Sequence, residues 1–151
     1  MCRIAKYEMV AERIQGYSSE VIDKQMNGAD NIANFIMNTL QSDRMIVEHF
    51  YVFMLDAKLK VMGFVDVSTG TLDASPVHPR EVFVPALMIP KTSAIIVAHT
   101  HPSGDPTPSH EDIQVTERLT KASDILGIRL LDHVIVGDGC YKSLRSEGYM
   151  Q

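Results

Sequence analysis

Two histidines and a Ser-x-x-Asp motif lie close together in the second half of the chain. His99 and His101 stand two residues apart at the end of an apolar run that begins at Ser93. Side chains alternate along a strand, so both imidazoles point to the same side of it. Two imidazoles at the carboxyl end of one strand can bind a single metal ion, and histidine is a common zinc ligand.

Asp112 is the candidate for a third ligand. It lies in the first turn of a predicted helix, after a loop from 102 to 108 that contains three prolines. Three protein ligands leave a fourth position for water, which is the pattern of a catalytic zinc site. Ser109 and Asp112 also fit a capping box, in which a serine and an acid three residues later satisfy the helix start. The buried strand, the histidine pair, the rigid loop and this motif have no shared structural reason to occur together, so we predict a metal site.

The composition of the chain limits the alternatives. Its 151 residues fit one domain, and the net charge of -5 argues mildly against nucleic-acid binding, although a local basic patch stays possible. No apolar run approaches the roughly 20 residues of a membrane span. The two cysteines, Cys2 and Cys140, are far apart and form no metal-binding pair, which favours a reducing, cytoplasmic setting.

The elements that must position these residues alternate irregularly between strands and helices. Residues 1–28 are predicted as a lead-in, with a strand favoured over a helix at 3–15, and residues 29–151 as the domain. The pattern predicts helices at 29–41, 80–89 and 109–126, strands at 47–55, 59–67, 93–99, 128–136 and 140–144, and a loop at 68–79. Pro85 predicts that the second helix is short, kinked or begins nearer Phe83. These elements predict an α/β fold with a mixed sheet and helices packed against it.

The stretch from His99 to Asp112 resembles the JAMM (MPN-type) metalloprotease signature, in which HxHP is followed by six residues and SxxD. The longer pattern resembles the RadC family, on stretches at 70–72, 78–83, 98–104 and 131–137 and at Pro108, Ser109, Asp112 and Thr116. The resemblance covers about residues 35–148. It implies a mostly antiparallel sheet in the three-layer, cytidine-deaminase-like arrangement of MPN/JAB domains. RadC-like proteins often carry a helix-hairpin-helix DNA-binding region as well, which this sequence does not resemble.

The resemblance also implies roles for two further residues. JAMM sites use a glutamate on an upstream strand as the general acid and base, and Glu48 stands at the matching position. By itself, Glu48 would be better explained as a solvated acid at a strand end. The implied mechanism has Zn²⁺ held by His99, His101 and Asp112, while Glu48 moves the proton of the attacking water to the leaving amine. Ser109 would donate to the developing oxyanion, in competition with its capping role.

The function expected from this resemblance is a zinc-dependent metallopeptidase or isopeptidase, with a peptide or protein substrate. The alternatives are a metal-dependent DNA-processing hydrolase, suggested by the historical DNA-repair name of the family, and a non-catalytic MPN-type interaction module. No membrane partner is expected, and the oligomeric state stays open. His110 is predicted to point to solvent, close enough to the site to touch a substrate. The other polar residues near these motifs are predicted to have structural roles: His49, His78, Arg80, Glu81, Asp105 and His133.

Overall fold

The computed structural model describes residues 28–70 and 77–150. The predicted lead-in over residues 1–28, with its strand at 3–15, therefore lies almost entirely outside the described residues. The described helices and strands are, in chain order, α1 (Ala29–Asn34), a π-helical turn (Phe35–Thr39), a 3-10 turn (Ser42–Arg44), β1 (Glu48–Leu55), β2 (Val61–Gly70), α2 (Pro79–Met88), β3 (Ala94–Thr100), α3 (His110–Leu126), β4 (Arg129–Val136) and β5 (Tyr141–Ser143).

The strands form one mixed sheet in the order β2-β1-β3-β4-β5. All neighbouring strands are antiparallel except β3 and β4, which run parallel. A parallel pair needs a crossover connection, and α3 supplies it. The predicted mixed, mostly antiparallel sheet is therefore confirmed. Because β3 and β4 run in the same direction, His99 and Gly137 end up at the same edge of the sheet.

Helices cover both faces of the sheet, as predicted. Ala94, Ile96 and Ala98 of β3 pack in the cluster that contains α1, whereas Ile95 and Val97 pack in the cluster that contains α2 and α3. This alternation follows from the two-residue period of a strand. His99 continues the alternation of Ile95 and Val97, so it lies on the face that α2 and α3 cover. Within the described residues, no helix is long and apolar enough to span a membrane.

The predicted helix at 29–41 is present, but its second half is a π-helical turn rather than α-helix. The predicted strand at 47–55 begins one residue later, at Glu48, and the second hairpin strand runs from Val61 to Gly70. The predicted loop at 68–79 is therefore wrong at both ends, because β2 continues to Gly70 and α2 begins at Pro79. Residues 71–76 of that loop lie outside the described residues.

The α2 helix begins at Pro79, so the predicted alternative of a start near Phe83 is wrong. A proline in the first helical turn loses no hydrogen bond. Pro85 does remove an interior donor, which costs roughly 3 kcal/mol. Val82 and Phe83 are buried against the sheet, and the burial of each such side chain contributes about 1.5–3 kcal/mol. Packing on the sheet therefore offsets the cost of this proline.

Candidate metal centre

The predicted ligands converge on one point at the end of β3. Nε2 of His99 lies 3.0 Å from Nε2 of His101 and 3.1 Å from Oδ1 of Asp112. Nε2 of His101 lies 3.4 Å from Oδ2 of Asp112. A small tetrahedral ion bound at roughly 2.0–2.1 Å to each ligand would separate neighbouring ligand atoms by about 3.3 Å. The three side chains thus form a group that could hold a metal ion.

The loop after β3 fixes the orientation of His101. Its Nδ1 donates to the carbonyl oxygen of Asp105 at 2.8 Å, because a carbonyl can only accept. In the neutral ring, this leaves Nε2 with a lone pair that faces Asp112. The predicted turn role of Asp105 is confirmed: its carboxylate accepts from the backbone and hydroxyl of Thr107, and these bonds lower the pKa of Asp105. The sequence did not indicate that its backbone carbonyl would orient a candidate ligand.

Asp112 is both a candidate ligand and part of the start of α3. Its Oδ2 accepts from the backbone N–H of Ser109 at 2.7 Å, and the hydroxyl oxygen of Ser109 accepts from the backbone N–H of Asp112 at 3.1 Å. The predicted capping box is therefore present. Capping uses the oxygen lone pair of Ser109, so it does not compete with donation by the hydroxyl hydrogen.

Ion pairing determines the charge of this group. Burial opposes ionisation, but hydrogen bonds from His101 and His99 outweigh it and hold the pKa of Asp112 well below its usual range. The hydrogen bond to Asp112 in turn raises the pKa of His101 above its usual value, against the effect of burial. Asp112 is therefore a carboxylate at neutral pH, which is the protonation state that a cation needs.

Glu48 reaches the same place from a different strand. It begins β1, which pairs with β3 so that Phe50 lies opposite His99. Its Oε1 lies 3.9 Å from Nε2 of His99, and 26% of its side chain is exposed. Glu48 therefore lies beside the candidate ligand His99, and its side chain remains partly open to solvent.

His133 is the neighbour whose importance the sequence did not reveal. It is fully buried on β4 and hydrogen-bonded, as predicted, but its partner is the candidate ligand His99, with Nε2 and Nδ1 2.7 Å apart. Burial and then the charge of His99 hold the pKa of His133 well below its usual value. Its other ring nitrogen lies 2.6 Å from the hydroxyl of Thr116 on α3.

The remaining predicted residues are arranged around the centre. His49 pairs with Asp66 at 2.6 Å and stacks on Tyr51. Glu81 accepts from the backbone N–H of His78 at the start of α2, which confirms the predicted helix-start role. His110 is exposed and bonds to Gln114, as expected for a residue that points to solvent.

Gly137 holds the ligand-bearing loop against the end of β4. The loop is anchored there by bonds from His101 N to Val136 O and from Asp138 N to Gly104 O, both 2.9 Å. A Cβ on Gly137 would clash with the carbonyl oxygen of Gly104 and lie 2.9 Å from its carbonyl carbon. The close approach of the two backbones therefore requires glycine.

We expect Gly137→Ala to displace this loop and to weaken metal binding by about 10- to 100-fold. Loss of residues that hold a metal ligand in place typically has an effect of this size. Titration with a divalent metal against a competing chelator measures the change. Gly139→Ala in the same turn is the control: its added Cβ meets nothing within 4 Å, but its φ of 65° strains the backbone. It should lower stability by roughly 1–2 kcal/mol and leave metal affinity unchanged. Equal metal affinity in both variants would contradict the role of Gly137.

Comparison with known proteins identifies the family to which this arrangement belongs. Residues 26–149 match the family model described as RadC-like JAB domain. The chain belongs to the RadC family. It is similar to UPF0758 proteins from Clostridium acetobutylicum, at 49% identity over 118 residues, and from Caldanaerobacter subterraneus subsp. tengcongensis, at 48% over 120 residues. A third relative, from Alkaliphilus metalliredigens, is 43% identical over 133 residues.

These matches concern only part of each RadC relative. They cover 78%, 80% and 88% of this chain but 50%, 50% and 56% of the respective relatives. The chain thus spans about half the length of the proteins it matches. Membership of the RadC family confirms the resemblance seen in the sequence, and the mixed sheet with helices agrees with a JAB domain.

Proposed function

We propose that this RadC-family chain is a zinc-dependent hydrolase of peptide or isopeptide bonds. The observation that carries the proposal is the position of Glu48, whose carboxylate lies 3.9 Å from Nε2 of His99 while a different acid, Asp112, completes the ligand group. Two histidines and one carboxylate are a ligand set used by catalytic zinc sites. A further carboxylate beside such a set is suited to move protons rather than to bind metal.

The side chains divide the chemistry among themselves. A bound zinc ion supplies Lewis acidity, which lowers the pKa of water towards about 7 and polarises a carbonyl group. Glu48 accepts the proton of the attacking water and delivers it to the nitrogen of the leaving amine. Ser109 keeps its hydroxyl hydrogen free of the helix cap and can donate it to the carbonyl oxygen as negative charge develops there.

Metal analysis and substrate profiling of the same preparation test this proposal. Protein purified without chelator should contain zinc in equimolar amount and cleave members of a peptide and isopeptide library. Chelation should abolish the cleavage, and added zinc should restore it. A native protein without bound metal would contradict the proposal.

The same experiment decides between the other functions of such a domain. Metal-dependent cleavage of DNA but not of peptides would identify a DNA-processing hydrolase instead. Bound zinc with no cleavage of either library would favour a non-catalytic interaction module. The net charge of -5 argues against DNA, and the complete set of candidate ligands argues against the module.

A further inference from the structure

A continuous series of hydrogen bonds leaves Asp112 and returns to it. The hydroxyl of Thr116 lies 2.7 Å from the carbonyl oxygen of Asp112 and 2.6 Å from Nδ1 of His133. Nε2 of His133 lies 2.7 Å from Nδ1 of His99, and Nε2 of His99 lies 3.1 Å from Oδ1 of Asp112. We call Thr116, His133 and His99 the relay. All three side chains are buried, with at most 1% of each residue exposed.

Counting hydrogens leaves few arrangements for the relay. A hydroxyl and a neutral imidazole each carry one hydrogen to donate, and a carbonyl carries none. Because the carbonyl of Asp112 can only accept, all three bonds are present together in one direction only, which we call the first direction. In the first direction, Thr116 donates to the carbonyl of Asp112, His133 donates from Nδ1 to Thr116, and His99 donates from Nδ1 to His133.

We propose that Thr116 and His133 are positioning residues that set the tautomer of His99 for metal binding. In the first direction, Nδ1 of His99 carries the hydrogen, and Nε2 therefore presents a lone pair to His101 and Asp112. A histidine that binds a metal usually donates the hydrogen of its other ring nitrogen to an acceptor. That acceptor is commonly a carboxylate or a backbone carbonyl. Here a second histidine takes that place, and its own tautomer depends on a threonine hydroxyl.

The hydroxyl of Thr116 also permits the opposite direction. It can donate to Nδ1 of His133 instead of to the carbonyl of Asp112, and His133 then donates from Nε2 to Nδ1 of His99. Nε2 of His99 then carries a hydrogen and donates it to the carboxylate of Asp112, an arrangement suited to the metal-free protein. Each member of the relay keeps one hydrogen in both directions, so a change of direction releases no net proton. A carboxylate or carbonyl in place of Thr116 would allow only the first direction.

Thr116→Val tests the relay, because valine keeps the shape of threonine but cannot hydrogen-bond. In the first direction, this variant leaves the buried Nδ1–H of His133 without an acceptor. We expect zinc affinity, measured by competition with a chromogenic chelator, to fall by about 10- to 100-fold. Thr116→Ser keeps the hydroxyl and should restore most of the affinity.

Thr120→Val is the matched control. Thr120 lies one turn further along α3, and its hydroxyl bonds to the carbonyl of Thr116 at 2.9 Å without reaching a histidine. Its loss should not change zinc affinity. NMR of the imidazole nitrogens gives a second measurement that a purely structural role of Thr116 would not affect. In the zinc-loaded wild-type protein, His99 and His133 should both carry hydrogen on Nδ1.

The inference rests on the proposed zinc site but not on hydrolysis. Equal zinc affinity of Thr116→Val and Thr120→Val, or a hydrogen on Nε2 of His133 in the zinc-loaded protein, would overturn the relay even if the protein cleaves peptides. A protein that binds zinc with these tautomers and cleaves nothing would leave the relay intact and contradict the proposed hydrolase.

Discussion

Glu48→Gln is expected to lower the rate of hydrolysis by about a hundred- to ten-thousand-fold, the usual contribution of a general acid and base. The amide keeps the shape of the carboxylate but cannot accept the proton of the attacking water. Zinc content should stay the same, since Glu48 is not one of the three candidate ligands. Cleavage of a peptide found by library profiling, together with elemental analysis, measures both quantities on one preparation.

Glu117→Gln is the matched control for that substitution. Glu117 is exposed on α3, and the same change there removes the same charge. It should leave both the rate and the zinc content unchanged. A Glu48→Gln protein that holds zinc and retains the wild-type rate would show that another group moves the proton, and it would remove the observation on which the proposed function depends.

Asp112→Asn should reduce zinc affinity by more than about a hundredfold. Residues that only hydrogen-bond to a metal ligand contribute about 10- to 100-fold to metal affinity, and loss of a ligand itself should cost more. The substitution removes the negative charge that raises the pKa of His101 and leaves the two imidazoles without their carboxylate. The asparagine oxygen can still accept from Ser109 N–H, so the helix cap is retained. Loss of the cap therefore would not explain the loss of metal.

Thermal unfolding with and without excess zinc measures this effect in another way. A ligand that binds only the native state raises stability with its concentration, so zinc should raise the Tm of the wild-type protein. It should not raise the Tm of Asp112→Asn at the same concentration. Asp124→Asn, on the exposed side of the same helix, is the control and should respond as the wild type does. An equal rise in Asp112→Asn would exclude Asp112 as a ligand.

The proximity of the three candidate ligands was predictable because their pattern is local. Strand alternation predicts that His99 and His101 share a side, and the capping motif predicts that Asp112 begins a helix. The proximity of Glu48 was predicted only from the resemblance to a family, because it depends on the pairing of β1 with β3. No local signal in the sequence determines the register of these two strands, which are separated by β2 and α2.

The parts that were missed depend on packing between distant elements. His133 was correctly predicted as a buried, hydrogen-bonded residue, but its contact with His99 depends on the parallel pairing of β3 with β4. The helical conformation of α2 around Pro85 depends on burial of Val82 and Phe83 against the sheet, which outweighs the local cost. Sequence patterns report local preference, so they did not show where tertiary burial would override it.

The parallel pairing of β3 with β4 has a consequence for the order in which the candidate site assembles during folding. All three candidate ligands and the relay lie in one continuous segment of the chain, from the start of β3 to the end of β4. Glu48 lies outside that segment and joins these residues only through the pairing of β1 with β3. A partly folded chain in which only that segment has formed would thus hold all three candidate ligands without Glu48 beside them. On the proposed function, such a chain would be unable to cut its neighbours.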